Sequence, residues 1–256
     1  MPYVAVGSER IFYTHRTSST PGAPHLILVH GAGGDHLHWG AAVRNLRSAS
    51  VYGLDLPGHG RSGGSGCRSI DDYAAFVARF IDALRLKRVI IAGHSMGGAT
   101  AMTTALNYPQ QVAGLILVGT GARLRVLPKI LEGTLDDFEN TVELICEYAY
   151  ARQAPRELVH QGQQHMRQVH PQTIHDDFAA CNMFDIAQRL GEIRCPTLIL
   201  CGTEDMLTPP KYATFLAERI AGAELKLVEG AGHMVMVEKA GEVAEAMSTA
   251  LAKWSL

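Results

Sequence analysis

Residues 89–100 read VIIAGHSMGGAT, an apolar run that leads directly into a serine enclosed by small residues. The run predicts a strand that is buried on both faces, as in a parallel sheet, and residues 96–108 predict a helix. Gly93, Ser95 and Gly97 fit the pattern G-x-S-x-G, in which a sharp strand-to-helix turn exposes a serine hydroxyl above the sheet. The same letters also fit a tight turn in which Ser95 only caps the helix, so the partners of Ser95 must decide between the two.

Runs similar to residues 89–93 occur along the rest of the chain. They predict strands at 26–30, 51–55, 115–119, 197–202 and 225–229, preceded by a hairpin of 3–6 and 11–13. Apolar residues at helical spacing predict a helix that is capped by Ser69 and extends to Leu84, and another over 237–254. Strands that alternate with helices indicate an α/β protein built from βαβ units.

Nearly eighty residues separate the predicted strands at 115–119 and 197–202, too many for one crossover helix. We predict helices over 138–149, from Pro155 onward and around Ile174, with Asp185 capping a last helix before Pro196. These elements predict a helical cap at 123–184, inserted after the sixth strand into a core made of 1–122 and 185–256. The alternative is a separate domain, although no linker-like composition flanks the segment.

Composition narrows the class of protein. Hydrophobic residues make up 47% and charged residues 19%, and the formal net charge is −2. No basic patch suggests a nucleic-acid partner, and no run approaches the roughly 18 apolar residues of a membrane span. Five cysteines without a CxxC pair, together with an N-terminus unlike a signal peptide, favour free thiols and a cytoplasmic location. The sequence contains no pattern that predicts the oligomeric state.

A serine nucleophile requires a base within hydrogen-bond reach. His233 follows the strand at 225–229, at the sheet edge where reacting groups of α/β proteins lie. His94 adjoins Ser95 and is expected to point away from it. We expect the histidines of the cap to be solvated, and we expect no metal site at His36 and His38, which lack an evident carboxylate or cysteine partner. The cap histidines are His160, His165, His170 and His175.

The imidazole in turn requires a carboxylate that fixes its tautomer. Asp205 and Glu204 both follow the strand at 197–202, whereas the strand at 115–119 is followed by no acid. The shorter side chain of Asp205 is favoured. The order Ser95, Asp205, His233 is the triad order of α/β hydrolases.

At this point the chain resembles the α/β-hydrolase superfamily over nearly its whole length. LVHGAGGDHLHW (28–39) is similar to its oxyanion loop, LDLPGHGRSGG (54–64) to the next loop, and GHSMGG to its nucleophile elbow. CGTEDMLTPP resembles the acid loop and GAGHMVMVEKAGEV the histidine loop. The resemblance implies a mostly parallel, eight-stranded sheet with helices on both faces. It also implies that the backbone N–H groups of Ala32 and Met96 form the oxyanion hole.

The resemblance is strongest to capped carboxylesterases, C–C-bond hydrolases and perhydrolases. It implies hydrolysis of a small-molecule ester through an acyl-enzyme, without cofactor or metal. C–C-bond hydrolases of dicarbonyl compounds, perhydrolases, lactonases and thioesterases share the triad, although the C–C-bond hydrolases usually carry G-N-S-x-G where this chain has His94. A hydrolase-like binding protein or receptor is a further alternative. Met206 and Met234 adjoin the acid and histidine loops and are candidates for the substrate pocket.

Overall fold

The sheet has six parallel strands and an antiparallel hairpin at one edge. The computed structural model describes residues 3–254, and within them the sheet has eight strands in the order β1-β2-β4-β3-β5-β6-β7-β8. β1 and β2 pair antiparallel, β2 joins β4 antiparallel, and all later pairs are parallel. The strands are β1 (Tyr3–Val6), β2 (Glu9–Arg16), β3 (His25–Val29), β4 (Ser50–Leu54), β5 (Val89–His94), β6 (Val112–Val118), β7 (Thr197–Gly202) and β8 (Glu224–Val228). The predicted fold class and each predicted strand are confirmed.

Residues 3–254 contain ten α-helices, most of which lie in the connections between successive strands. Ser69 caps the second of them by accepting a hydrogen bond from the Asp72 N–H, as predicted. The helices are α1 (Ala41–Arg44), α2 (Ile70–Ala83), α3 (Met96–Asn107), α4 (Pro128–Asp136), α5 (Phe138–Ala149), α6 (Arg156–Met166), α7 (Pro171–Met183), α8 (Pro210–Arg219), α9 (Val235–Glu238) and α10 (Ala240–Lys253).

Two apolar layers sandwich the sheet because successive side chains of a strand point to opposite faces. In β3, Ile27 and Val29 join the layer that α2, α3 and α8 cover, and Leu26 and Leu28 join the opposite layer with α10. All four side chains are buried. This two-sided burial explains why the strands read as unbroken apolar runs.

The C-terminal helical pattern is interrupted in the structure. A single helix over 237–254 was predicted, but α9 and α10 are separated at Lys239, whose φ of −128° is not helical. The Met236 carbonyl accepts a hydrogen bond from the Gly40 N–H, so it is engaged outside α9. The buried face of α10 includes Val243 and Met247, whereas Ala244 is only partly covered.

Four helices, α4 to α7, lie between β6 and β7. Arg123 and Asp185 pair antiparallel at the base of this segment, and Arg123 Nε lies 2.7 Å from Asp185 Oδ2. The sequence prediction missed α4. Its expectation that Asp185 caps a helix was wrong, because Asp185 Oδ1 accepts the Ala187 N–H in a turn that leads only to a short 3₁₀ segment at Leu190–Glu192.

Candidate active site

The chain turns sharply at Ser95, between β5 and α3. Ser95 has φ 52° and ψ −115°, a left-handed conformation that costs of order 1–3 kcal/mol for a residue with a Cβ. Its side chain makes no capping hydrogen bond to α3, so Ser95 is not held there as an ordinary helix cap. The neighbouring glycines allow the turn: a Cβ on Gly93 would lie 2.1 Å from the Gly97 carbonyl oxygen, and one on Gly97 would lie 2.3 Å from that of Val29.

His233 and Asp205 meet at the same end of the sheet. His233 Nδ1 lies 2.9 Å from Asp205 Oδ2, and both side chains are buried. Asp205 also accepts hydrogen bonds from the backbone N–H groups of Leu207 and Thr208, at 2.9 and 2.8 Å. Glu204, the other candidate acid, is exposed and accepts the N–H of Arg152 at 3.1 Å instead.

The histidine loop lies against the serine turn. The ring of His94 lies 4.6 Å from that of His233, and His94 Nε2 donates to the His233 carbonyl at 3.1 Å. The hydrogen bonds of the His233 ring within residues 3–254 all involve Nδ1, and none joins it to Ser95. Such bonds often tighten only when substrate binds. Nε2 of His233 is therefore the nitrogen available to receive a proton.

Two backbone donors near Ser95 have no acceptor among the described residues. Within residues 3–254, neither the N–H of Ala32 nor that of Met96 makes a hydrogen bond to protein. Ala32 and Ser95 line the same cavity, and Ser95 Cβ lies 3.2 Å from the position that a Cβ on Gly31 would take. Unsatisfied N–H groups at a helix N-terminus attract negative charge.

The cavity over Ser95 has a volume of about 270 Å³. Met206 lies at its rim and is 52% exposed. Met234 does not line it: the side chain is buried in the layer that also contains α10, because Met234 starts the turn into α9. Apart from Arg125, Tyr148, Cys181 and Thr208, the rest of the wall is mostly apolar, formed by Leu124, Val126, Leu127, Ile130, Phe178 and Leu207.

Two expectations about histidines were wrong. His36 has a carboxylate partner, since its Nδ1 lies 2.7 Å from Asp55 Oδ1. His165 is not simply solvated: its Nε2 lies 3.1 Å from Asp35 Oδ2, so α6 contacts the oxyanion-loop segment. This hydrogen bond raises the pKa of His165 against the opposing effect of burial.

Burial keeps other histidines near the site neutral. Burial, with a further contribution from His233, lowers the pKa of His94 well below its usual value. Burial also lowers the pKa of His38 to about 4. A neutral His94 adds no positive charge beside the ring of His233. Among residues 3–254, no group of three His, Cys, Asp or Glu side chains is arranged to hold a metal ion.

The sequence prediction missed two side chains that support the histidine loop. Thr208 Oγ1 donates to Asp205 Oδ2 at 2.8 Å and lies 3.2 Å from His233 Nδ1. Glu238 accepts the N–H of Gly232 through Oε1 and that of Ala151 through Oε2, both at 3.0 Å. Burial raises the pKa of Glu238. Thr208 stands three residues after Asp205, a turn spacing that could have pointed to it.

None of the helices in residues 3–254 is long and apolar enough to cross a membrane.

Comparison with known proteins gives consistent matches over most of the chain. A solved structure of a thermophilic esterase is 33% identical, covers 99% of this chain and 97% of its own, and superposes with a TM-score of 0.86. Est816, an N-acyl homoserine lactone degrading enzyme, is 26% identical, with a TM-score of 0.85 and coverage of 97% and 99%. A 2-hydroxy-6-oxononadienedioate/2-hydroxy-6-oxononatrienedioate hydrolase of Paraburkholderia phymatum is 29% identical over 88% of this chain and 86% of its own. The family model of the alpha/beta hydrolase fold matches residues 24–240, and the chain therefore belongs to the α/β hydrolase family.

Proposed function

We propose that this protein is a serine hydrolase that cleaves a carboxylic ester through a covalent acyl-enzyme. His233 Nε2 takes the proton from Ser95 as the serine oxygen attacks the ester carbonyl. The N–H groups of Ala32 and Met96 stabilise the tetrahedral oxyanion, and the protonated His233 then gives its proton to the departing alcohol. Water, activated by the same imidazole, releases the acid, while Asp205 remains ionised throughout.

One observation carries this proposal: the strained Ser95 opens into a cavity beside a buried His233–Asp205 pair. A serine held at φ 52° without a capping bond has no evident structural use, and strain of this kind concentrates at functional sites. The His233 Nδ1–Asp205 contact fixes the tautomer that leaves Nε2 unprotonated and basic.

The size and the lining of the cavity favour a substrate with a small apolar acyl group. Its volume of about 270 Å³ lies just below the roughly 300–1,000 Å³ that is usual for ligand pockets, and apolar side chains form most of its wall. We further propose that residues 123–184 form the cap that selects this group, because α4, α5 and α7 supply Ile130, Tyr148 and Phe178 to the wall.

C–C-bond hydrolysis of a dicarbonyl compound is the second candidate, favoured by the relative from Paraburkholderia phymatum. His94 stands where the elbow of that group usually carries asparagine. The same triad would also serve a perhydrolase or a thioesterase. A ligand-binding protein on this scaffold would bind without repeated turnover.

Turnover of p-nitrophenyl esters from acetate to decanoate by wild type and Ser95→Ala tests the proposal. We expect a preference for short chains, and Ser95→Ala should lower kcat by at least ~10⁴-fold and abolish labelling by a fluorophosphonate. Ser65→Ala, an exposed loop serine, is the matched control and should retain full activity. Undiminished turnover by Ser95→Ala would exclude the mechanism. Faster cleavage of a 2-hydroxy-6-oxo-dienoate than of any ester would favour the second candidate.

A further inference from the structure

A fully buried carboxylate connects the inserted helices to the oxyanion loop. Asp177 belongs to α7 and is 0% exposed. Its Oδ2 accepts the backbone N–H of Gly33 at 2.9 Å and lies 2.8 Å from His59 Nε2, and its Oδ1 accepts the hydroxyl of Tyr73. These three partners lie 144, 118 and 104 residues away in the sequence, and all belong to the core.

The geometry around His59 indicates that the carboxylate is paired with a positive charge. His59 Nδ1 lies 3.0 Å from the Pro57 carbonyl oxygen, and Nε2 lies against the Asp177 carboxylate. The Pro57 carbonyl can only accept, so Nδ1 carries a proton, and an ionised Asp177 likewise only accepts, which places a second proton on Nε2. Burial is the largest single influence and opposes this charge, but Asp177, the Pro57 carbonyl and Asp55 together outweigh it, and the pKa of His59 lies above its usual value. A buried imidazolium–carboxylate pair therefore joins the loop after β4 to α7.

Gly33 connects the His59–Asp177 pair to the candidate active site, because its N–H donates to Asp177. It has φ +61°, and the position of a Cβ there would be 3.3 Å from Ile174, one turn before Asp177 on the same helix. Asp177 thus binds the Gly33 N–H, and Ile174 on the same helix leaves little room for a side chain at Gly33. Gly33 directly follows Ala32, whose N–H has no acceptor among the described residues.

We propose that Asp177 is a positioning residue that aims the Ala32 N–H at the oxyanion by fixing the next peptide of the loop. The oxyanion hole is then built jointly by the core and by α7, and α7 is a fixed part of the catalytic machinery. This inference rests on the proposed function, because it assigns Asp177 to the stabilisation of the same tetrahedral intermediate.

The test uses the full chain with Asp177→Asn, which has one acceptor oxygen for three donors. Loss of one well-placed oxyanion donor costs ~10²–10³ in turnover, so a misaligned donor should lower kcat about 10–100-fold with KM changed less than threefold. The affinity for an alkyl trifluoromethyl ketone, which forms the tetrahedral adduct with serine, should fall by the same factor.

Asp176→Asn is the matched control, because Asp176 lies on the same helix but contacts Arg68, Gln172 and His175 and not the oxyanion loop. It should retain wild-type kcat and ketone affinity. A loss in Asp177→Asn that appears only in KM, or kinetics equal to wild type with unchanged ketone affinity, would overturn the inference.

A second variant covers the case in which Asp177→Asn does not fold because it isolates the buried imidazolium. His59→Gln/Asp177→Asn removes both charges, and we expect it to fold and to show the same fall in kcat and in ketone affinity. Wild-type kinetics in the double variant would overturn the inference. Turnover that persists in Ser95→Ala would instead refute the proposed function, and an inactive Ser95→Ala with a fully active Asp177→Asn would refute only the role of Asp177.

Discussion

Gly97→Ala tests whether close backbone contact at the serine turn sets both stability and activity. The added Cβ would lie 2.3 Å from the Val29 carbonyl oxygen and 2.5 Å from that of His30. Both are backbone atoms at the end of β3, so neither can rotate away. Ordinary van der Waals contact requires a separation ~1 Å greater, which the start of α3 must supply by moving away from β3.

The displacement separates the two proposed oxyanion donors, because Met96 adjoins Gly97 on α3 and Ala32 follows the end of β3. A displacement of about 1 Å can cost ~10² in rate even when no reacting group is changed. Overpacking of a filled core costs about 1–3 kcal/mol, which lowers the Tm by about 2–12 °C for a chain of this size. We therefore expect Gly97→Ala to lose about 100-fold in kcat for a short ester.

The assay compares ester kinetics and thermal melting for wild type, Gly97→Ala and Gly241→Ala. Gly241 lies on an exposed face of α10, and a Cβ there meets no atom within 4 Å. The same substitution should raise stability at that position by about 0.5–1 kcal/mol, because alanine loses less backbone freedom in a helix. If Gly97→Ala keeps kcat within threefold of wild type and an unchanged Tm, the steric argument is wrong.

Two further predictions concern histidines near the site. His94→Phe keeps an aromatic ring but removes the N–H donor to the His233 carbonyl, a hydrogen bond worth about 1 kcal/mol. We therefore expect kcat/KM on a short ester to fall about fivefold. An unchanged kcat/KM would show that His94 does not position the loop that carries His233. His165→Gln tests the contact with Asp35. Because the pKa of His165 is raised in the folded state, the contact stabilises that state fully below the unfolded pKa of about 6.5. This stabilisation is lost as the pH rises through the folded pKa. Because the pKa of Asp35 is lowered in the folded state, Asp35 contributes its share of this stability above its unfolded pKa of about 3.9. The variant should therefore melt about 2–4 °C below wild type near pH 5.5, with a difference that shrinks by pH 9, and a difference that grows with pH would contradict the assignment.

The strands could be predicted because each is covered on both faces and so carries an uninterrupted apolar signal. β7 was predicted to the residue, and β3 and β4 within one residue at either end. The positions of Asp205 and His233 followed from topology, since parallel strands bring their carboxyl ends to one edge. Strand order, together with the resemblance of the two loops to the acid and histidine loops of α/β hydrolases, therefore predicted the His233–Asp205 contact.

The contacts made by the inserted helices could not be predicted from pattern. Asp177 and His165 each contact a core segment more than a hundred residues away through a single side chain. Periodicity carries no information about which core residue a polar group on α6 or α7 will reach. The missed helix α4 has a related cause. Only Ile130 and Thr134 are buried on it, so its apolar face is too narrow to stand out.

These unpredicted contacts attach the inserted helices on both sides of Ser95. On one side Asp177 holds Gly33 of the oxyanion loop. On the other, the Ala149 carbonyl at the end of α5 accepts the N–H of Met234, next to His233, at 3.0 Å. With both loops hydrogen-bonded to the insertion, the ends of α5 and α7 cannot move without disturbing the proposed oxyanion donors and the proposed base. Among residues 3–254, the wall segment 124–130 makes no such bond to either loop, and Leu127 is 54% exposed. Changes of substrate preference should therefore be sought in this wall, where side chains can be exchanged while the geometry around Ser95 is preserved.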